Sequence, residues 1–206
     1  FNRKGKWYSP LDVIECRIGP DRVGELLAGV RKWYTAAGHR AFDSHTKDGV
    51  LRVLLVRSGV RTGQILVALV TTGTEIDTVP FVDVVRETYP GASIYHCIFH
   101  GLSQGLFSDE TIHLAGEPVI EEQLNINGLD RPLRFQISPL SFFQTNTLAT
   151  EVLYSKIRAG VEAIRPRILY DLYGGGGGIA LSCADCAEVV RSVENVHAAS
   201  LDGDVN

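Results

Sequence analysis

Asp171, the glycine run 174–178 and Glu194 are the residues whose types and spacing could do chemistry together. A short apolar run, Ile168 to Tyr173, carries one acid, Asp171. Five glycines follow, then an apolar helix-like stretch, then a second strand-like run from Glu188 to Val193 that ends on Glu194. The order strand, glycine loop, helix, strand, acid is the opening unit of a nucleotide-binding α/β domain. Glycine lets such a loop take positive φ and lets a ligand lie against bare backbone. The helix N-terminus behind it offers unpaired N–H groups and a partial positive charge. An acid at the end of the second strand can accept hydrogen bonds from ribose hydroxyls. Two ligand classes fit. A dinucleotide site spaces its glycines GxGxxG and seats a pyrophosphate, whereas an adenosylmethionine site has an acid just before the glycines and no phosphate to neutralise. Gly175, Gly177 and Gly178 suit either spacing, and a purely structural turn would carry the same glycines.

The elements that must position these residues can be read from periodicity. Val23, Leu26, Leu27, Val30, Trp33 and Tyr34 predict a helix over residues 21–37, with Gly38 as its C-cap. Residues 12–16 (DVIEC) read as a strand, and Val50–Arg57 with Gln64–Thr71 as a hairpin. A second helix over Val79–Tyr89 stops at Pro90. Ser93–Phe99 reads as a strand, and residues 112–137 as short strands around an Asn127-Gly128 turn. Ser138 and Pro139 read as N-cap and first residue of a helix whose stripe is Leu148, Val152, Leu153, Ile157, Val161 and Ile164, closed by Pro166. The fold class expected is α/β: a mixed α/β central domain over residues 1–137, then a nucleotide-binding domain over 138–206.

Length and charge bound the remainder. The 206 residues suffice for one large or two small domains. A net charge of −4 gives no general pull toward polyanions, so an RNA partner requires clustered basic residues. Four cysteines are too few for a disulfide scaffold and suit a reducing cytoplasm. No apolar run is long enough to span a bilayer, and no signal peptide opens the chain.

Over residues 138–194 the sequence resembles the RNA uracil-5-methyltransferases, in three blocks: FQISPLSFFQTNTLATEVLY, DLYGGGGGIAL and VRSVENVHA. The upstream half, from DVIEC through KDGVLRVLLVRSGVRTGQILVALVTTG, is similar to that family's central domain, so the resemblance covers essentially the whole chain. It implies a class I (Rossmann-like) fold binding S-adenosyl-L-methionine and methyl transfer to carbon 5 of a uridine in RNA. The branch that methylates 23S ribosomal RNA is nearest, with rRNA favoured over tRNA as partner. By position, Gln144 matches the family's cofactor-binding glutamine, Tyr173 and the glycine loop its methionine-side contact, and Glu194 its ribose acid. Gly178 stands where the family usually has Thr or Asn, and Gly174 where many members have Cys, which loses side-chain contact with the cofactor. The chemistry implied needs a cysteine thiolate to add to carbon 6 of uracil and a base to take the carbon-5 proton. In the family both lie beyond the second strand, so no residue here is expected to be catalytic and the chain reads as an inactive fragment lacking both ends.

Other candidates weigh less. Cys183 and Cys186 form a CxxC placed in the apolar helix after the loop, where packing is the simpler role. His96 and His100, either side of Cys97, could share one sheet face. Some family members carry a 4Fe-4S cluster, and Cys16 matches the position of its lone fourth cysteine ligand. Arg3, Lys4 and Lys6 beside Trp7 and Tyr8 could hold phosphates while a ring stacks on a base, with Arg52, Arg57 and Arg61 extending the face. The expectation is a monomeric cytoplasmic enzyme with no membrane partner. The alternatives are a nicotinamide oxidoreductase on the same loop and a non-catalytic RNA-binding module.

Overall fold

β-Branched and aliphatic residues dominate ILVALVT, and SIYHCI mixes isoleucine with Tyr, His and Cys; in the computed structural model both are strands buried along nearly their whole length. The structure describes residues 2–43, 45–73, 75–103 and 107–206, with the backbone alone at residues 2 and 7–10. In chain order the elements are β1 (Asn2–Arg3), β2 (Lys6–Pro10), α1 (Val23–Ala36), β3 (Leu51–Ser58), β4 (Ile65–Thr71), α2 (Val79–Thr88), β5 (Ser93–Ile98), β6 (Glu110–Ala115), β7 (Ile120–Leu124), β8 (Leu133–Ile137), α3 (Thr147–Ile164), β9 (Ile168–Leu172), α4 (Gly178–Ser182), β10 (Val189–Val193) and α5 (His197–Val205). They fall into two compact units, residues 1–58 with 67–116, and residues 59–66 with 117–206. The β7–β8 pair, which the sequence assigns to the first domain, thus groups with the second unit.

The first unit is built on a sheet of order β3-β4-β5-β6. α1 buries Leu26, Val30 and Trp33, one helical stripe, and Trp33 packs its ring 5.4 Å from that of Phe81 on α2. Residues 12–16 are not the expected strand. Asp12 instead pairs with Arg31 of α1 at 2.5 Å, and Ile14 is left 80% exposed. Arg52 does not extend a basic face. Its guanidinium lies 4.4 Å from the centre of the Phe42 ring and 4.8 Å from that of Phe99, and donates to the carbonyls of Phe99, Gly101 and Ser103. His96 is buried against Thr71 Oγ1 at 2.7 Å, while His100 lies beyond the end of β5, so the two histidines do not share a strand face. Arg3, Lys4 and Lys6 are exposed around the β1–β2 turn, but the side chains of Trp7 and Tyr8 lie outside the described residues.

In the second unit β7 and β8 pair antiparallel, and Leu124, Ile126, Phe135 and Tyr154 form a core with Phe143, Ile157, Ile179 and Leu181 packed on it. The Asn127-Gly128 turn is required sterically, because Gly128 has φ of 89° and a Cβ there would lie 2.9 Å from Arg158 Nε. Glu122 on β7 is 1% exposed, and its carboxylate accepts from the Val60, Arg61 and Gln123 N–H groups and from Thr147 Oγ1. Arg61 is spent on Glu151 of α3 in a two-pronged ion pair.

α3 departs from the sequence in two ways. Ser138 and Pro139 do not start it. Asn146 caps it, its side-chain oxygen accepting from Ala149 N at 3.0 Å, and the helix opens at Thr147. Its buried positions are Thr147, Thr150, Tyr154 and Arg158, whereas Leu148, Val152, Leu153 and Ile164 are exposed. The polar face can be buried because most of its groups are paired: Arg158 donates to Asp185 through both terminal nitrogens, to Ser182 O and to Gly128 O, and also reaches Glu162, with its buried Nε left without a partner.

Candidate functional site

β9 and β10 pair in parallel with Asp171 opposite Ser192, so the glycine loop leaves β9 beside the end of β10. The loop is tied on itself. Gly174 N donates to Val193 O at 3.0 Å, Gly177 N to Gly174 O at 2.9 Å, and Leu181 N to Gly177 O at 2.8 Å. Gly175 and Gly177 have φ of 56° and 81°, the left-handed region that glycine enters without strain. Tyr173 also has positive φ, 63°, and its side chain is 88% exposed.

Two carboxylates sit on amides here, one on the turn and one on the helix that follows it. Asp171, 6% exposed, accepts from Ala180 N in the first turn of α4 at 3.0 Å. Burial raises its pKa, offset in part by that hydrogen bond. Glu194 accepts from Gly175 N at 2.8 Å through one oxygen, and from Asn195 N and Val196 N at 2.7 Å each through the other. These amides, that of Val196 foremost and that of Gly175 next, hold its carboxyl below the usual carboxylate range. Three donors leave a carboxylate room for at least one more, so Glu194 can still accept from a ligand hydroxyl.

The segment between β8 and α3 forms a second wall. Its two phenylalanines divide the work: Phe143 packs on Phe135 with ring centres 5.4 Å apart, while Phe142 is 66% exposed. A Cβ built on Gly175 would lie 3.6 Å from Phe142 O and 3.8 Å from its ring. Loop and segment therefore approach so closely at Gly175 that a single methyl there would already be in van der Waals contact with Phe142. Gln144, two residues on, is half-buried.

On the other side of the loop a cavity of about 310 Å³ is lined by residues that include Gly175, Gly177, Leu181, Ser192, Glu194 and Ser200. Of the residues predicted from sequence it brings together Gly175, Gly177 and Glu194, while Gln144, Asp171, Tyr173 and Gly178 are not part of its wall. Gly178 has a packing reason to be glycine, since a Cβ there would lie 2.7 Å from the Tyr154 hydroxyl.

The other candidates hold no such arrangement. Cys183 is the C-cap of a five-residue α4, so the CxxC lies in the turn after that helix and not inside it. Burial pushes the Cys183 thiol up to about 11 and raises those of Cys97 and Cys186. Cys16 is half-buried, and among the described residues no three His, Cys, Asp or Glu side chains converge on a metal position.

Asp202 and Asn206 were not anticipated, because α5 carries no apolar stripe to announce it. Asp202, 7% exposed, accepts from Ser138 N at 3.0 Å and Ser138 Oγ at 2.5 Å, and Asn206 joins Gln136 to Gly176. A buried acid four residues before an amide on one helix is the one signal that could have been read.

No protein-family model matches the chain. It is 30% identical over 203 residues, 97% of its length, to an uncharacterised RNA methyltransferase of Clostridium acetobutylicum, of which it covers 43%. It is 27% identical over 196 residues, 94% of its length, to another from Caldanaerobacter subterraneus subsp. tengcongensis, of which it covers 42%. The chain is similar along nearly its whole length to proteins named as RNA methyltransferases. It thus spans less than half the length of the curated relatives it matches. The crystal structure of Pyrococcus abyssi tRNA (uracil-54, C5)-methyltransferase in complex with S-adenosyl-L-homocysteine superposes on all of this chain and 49% of that one, with a TM-score of 0.75 at 23% identity. The chain therefore has the α/β fold of that enzyme over the shared region, as the three sequence blocks imply.

Proposed function

We infer that this chain supplies the cofactor-holding part of an S-adenosyl-L-methionine-dependent RNA methyltransferase that acts on carbon 5 of a uridine, in 23S ribosomal RNA. One observation carries the choice of cofactor: carboxylates already occupy amides at the place a pyrophosphate would use, Glu194 on Gly175 N of the glycine turn and Asp171 on Ala180 N in the first turn of α4. A pyrophosphate needs those amides and would meet two negative charges at close range. A sulfonium ligand carries no phosphate and meets no such repulsion, which disfavours the nicotinamide alternative.

The residues present fit that group. Gly175 and Gly177 offer bare backbone to the cavity that Glu194 also lines, and the spare lone pair of Glu194 suits a ribose hydroxyl. Gln144 is assigned to the cofactor on its place in the SFFQTN block. When bound, S-adenosyl-L-methionine supplies an electrophilic methyl group. The chain's own part is to hold it: Asp171 fixes the start of α4, Glu194 fixes the turn, and Phe143 anchors the segment that carries Gln144.

Carbon 5 of uracil becomes nucleophilic only after a thiolate adds to carbon 6, and the adduct then loses the carbon-5 proton and expels the thiolate. Cys97, Cys183 and Cys186 are poor nucleophiles for this, since burial keeps their thiols protonated. The Cys16 cluster reading rests on the resemblance alone and enters no step. Nucleoside mass spectrometry of RNA methylated by the protein that carries this chain tests the proposal. The expected product is 5-methyluridine in 23S RNA. Methylation at another base, or of tRNA alone, contradicts the substrate assignment.

A further inference from the structure

α5 is amphipathic the wrong way round. Leu201 and Val205 are 51% and 64% exposed, while Asp202 is 7% exposed. Burying an acid in place of two available aliphatics costs stability unless its bonds do something specific. They do. The Asp202 carboxylate takes both donors of Ser138, the backbone N–H at 3.0 Å and the hydroxyl at 2.5 Å. Ser138 is the first residue after β8, where the chain turns into the segment bearing Phe142, Phe143 and Gln144. One helical turn later, on the same face, Asn206 uses both ends of its amide. Its oxygen accepts from Gln136 N at 2.6 Å, and its nitrogen donates to Gly176 O at 3.1 Å, in the middle of the glycine turn.

We propose that Asp202 and Asn206 are positioning residues for the cofactor. Together they bolt the start of the Gln144 segment and the glycine turn to one helix and so fix how the segment that bears Gln144 sits against the turn. This rests on the cofactor reading given above, and neither residue touches the cofactor. A glycine turn has no side chains with which to hold its own shape, so its order must come from its neighbours. Gly203, one residue after Asp202, faces the turn directly: a Cβ there would be in ordinary contact with it, 3.5 Å from Gly175 O and 3.6 Å from Gly176 C.

Asn206→Asp is the test, because it keeps the acceptor for Gln136 N and deletes the donor to Gly176 O, together with the longer contact of the same nitrogen to Gln136 O at 3.5 Å. Calorimetric titration of the chain with S-adenosyl-L-homocysteine is expected to show affinity about tenfold weaker in the variant, the scale of one lost hydrogen bond. Amide hydrogen exchange without ligand is expected to speed up at residues 175–177 and not in β4 or β5. A folded variant with unchanged affinity and unchanged exchange overturns the proposal. If Asn206→Asp does not fold, Ser138→Ala removes a single hydroxyl donor to Asp202, with Ser138→Thr as the rescuing variant. Weakened binding in the first and restored binding in the second supports positioning, and equal affinity in all three overturns it. If the unaltered chain binds no S-adenosyl-L-homocysteine, the cofactor reading fails, and the exchange comparison still decides whether these residues order the turn.

Discussion

Glu194 and Asp171 load the same turn with opposite responses to pH. The pKa of Glu194 is lowered, so its contribution is present above the ordinary carboxylate range and lost as pH falls through the lowered value. That of Asp171 is raised, so its charged form costs stability as pH rises through the raised value. Cofactor affinity should therefore hold steady from neutral into mild acid and fall only below the usual carboxylate range, and a pH series of titrations checks this. Gly178→Ala forces a methyl against Tyr154 and is expected to destabilise by about 1–3 kcal/mol in urea unfolding. Gly175→Val, which sets a branched side chain at a left-handed φ in the wall of the cavity that Glu194 lines, is expected to abolish cofactor binding in the same titrations.

At the scale of elements, α3 shows why a buried face can be misread. Its exposed Leu148, Val152 and Leu153 follow helical periodicity as well as any core stripe, and the face that is buried uses Thr, Tyr and Arg. Periodicity reports which residues share a face but not which face is covered. The pairing of Arg158 with Asp185, whose carboxyl is held down to about 2, is what makes that choice tolerable. The carboxylate stabilises the fold above its unfolded pKa and is lost as pH drops toward 2, so the acid limb of the stability curve between about pH 4 and 2 should flatten in Asp185→Asn. Asn146→Ala should cost about 1 kcal/mol through the lost cap. Other elements were legible because local chemistry alone determines them. The β3–β4 hairpin, α1, α2 and β5 follow period and punctuation, and β9, the glycine turn and β10 announce themselves by order. α5 and the Asp12–Cys16 segment did not, since one lacks an apolar stripe and the other trades strand-like composition for an ion pair with Arg31.

For the whole molecule, net charge and composition only excluded classes, and the glycine turn alone left two cofactors open. The seating of Glu194 on an amide of the turn, and of Asp171 on an amide of α4 behind it, is tertiary information that spacing could indicate but not establish. The central claim, that this turn cradles a sulfonium methyl donor, is tested most directly by isothermal titration of the chain with S-adenosyl-L-homocysteine and, in parallel, with NADH. Saturable one-to-one binding of S-adenosyl-L-homocysteine, lost in Glu194→Ala and absent for NADH, is the result expected. Binding of NADH without S-adenosyl-L-homocysteine, or S-adenosyl-L-homocysteine binding that Glu194→Ala leaves untouched, would contradict it.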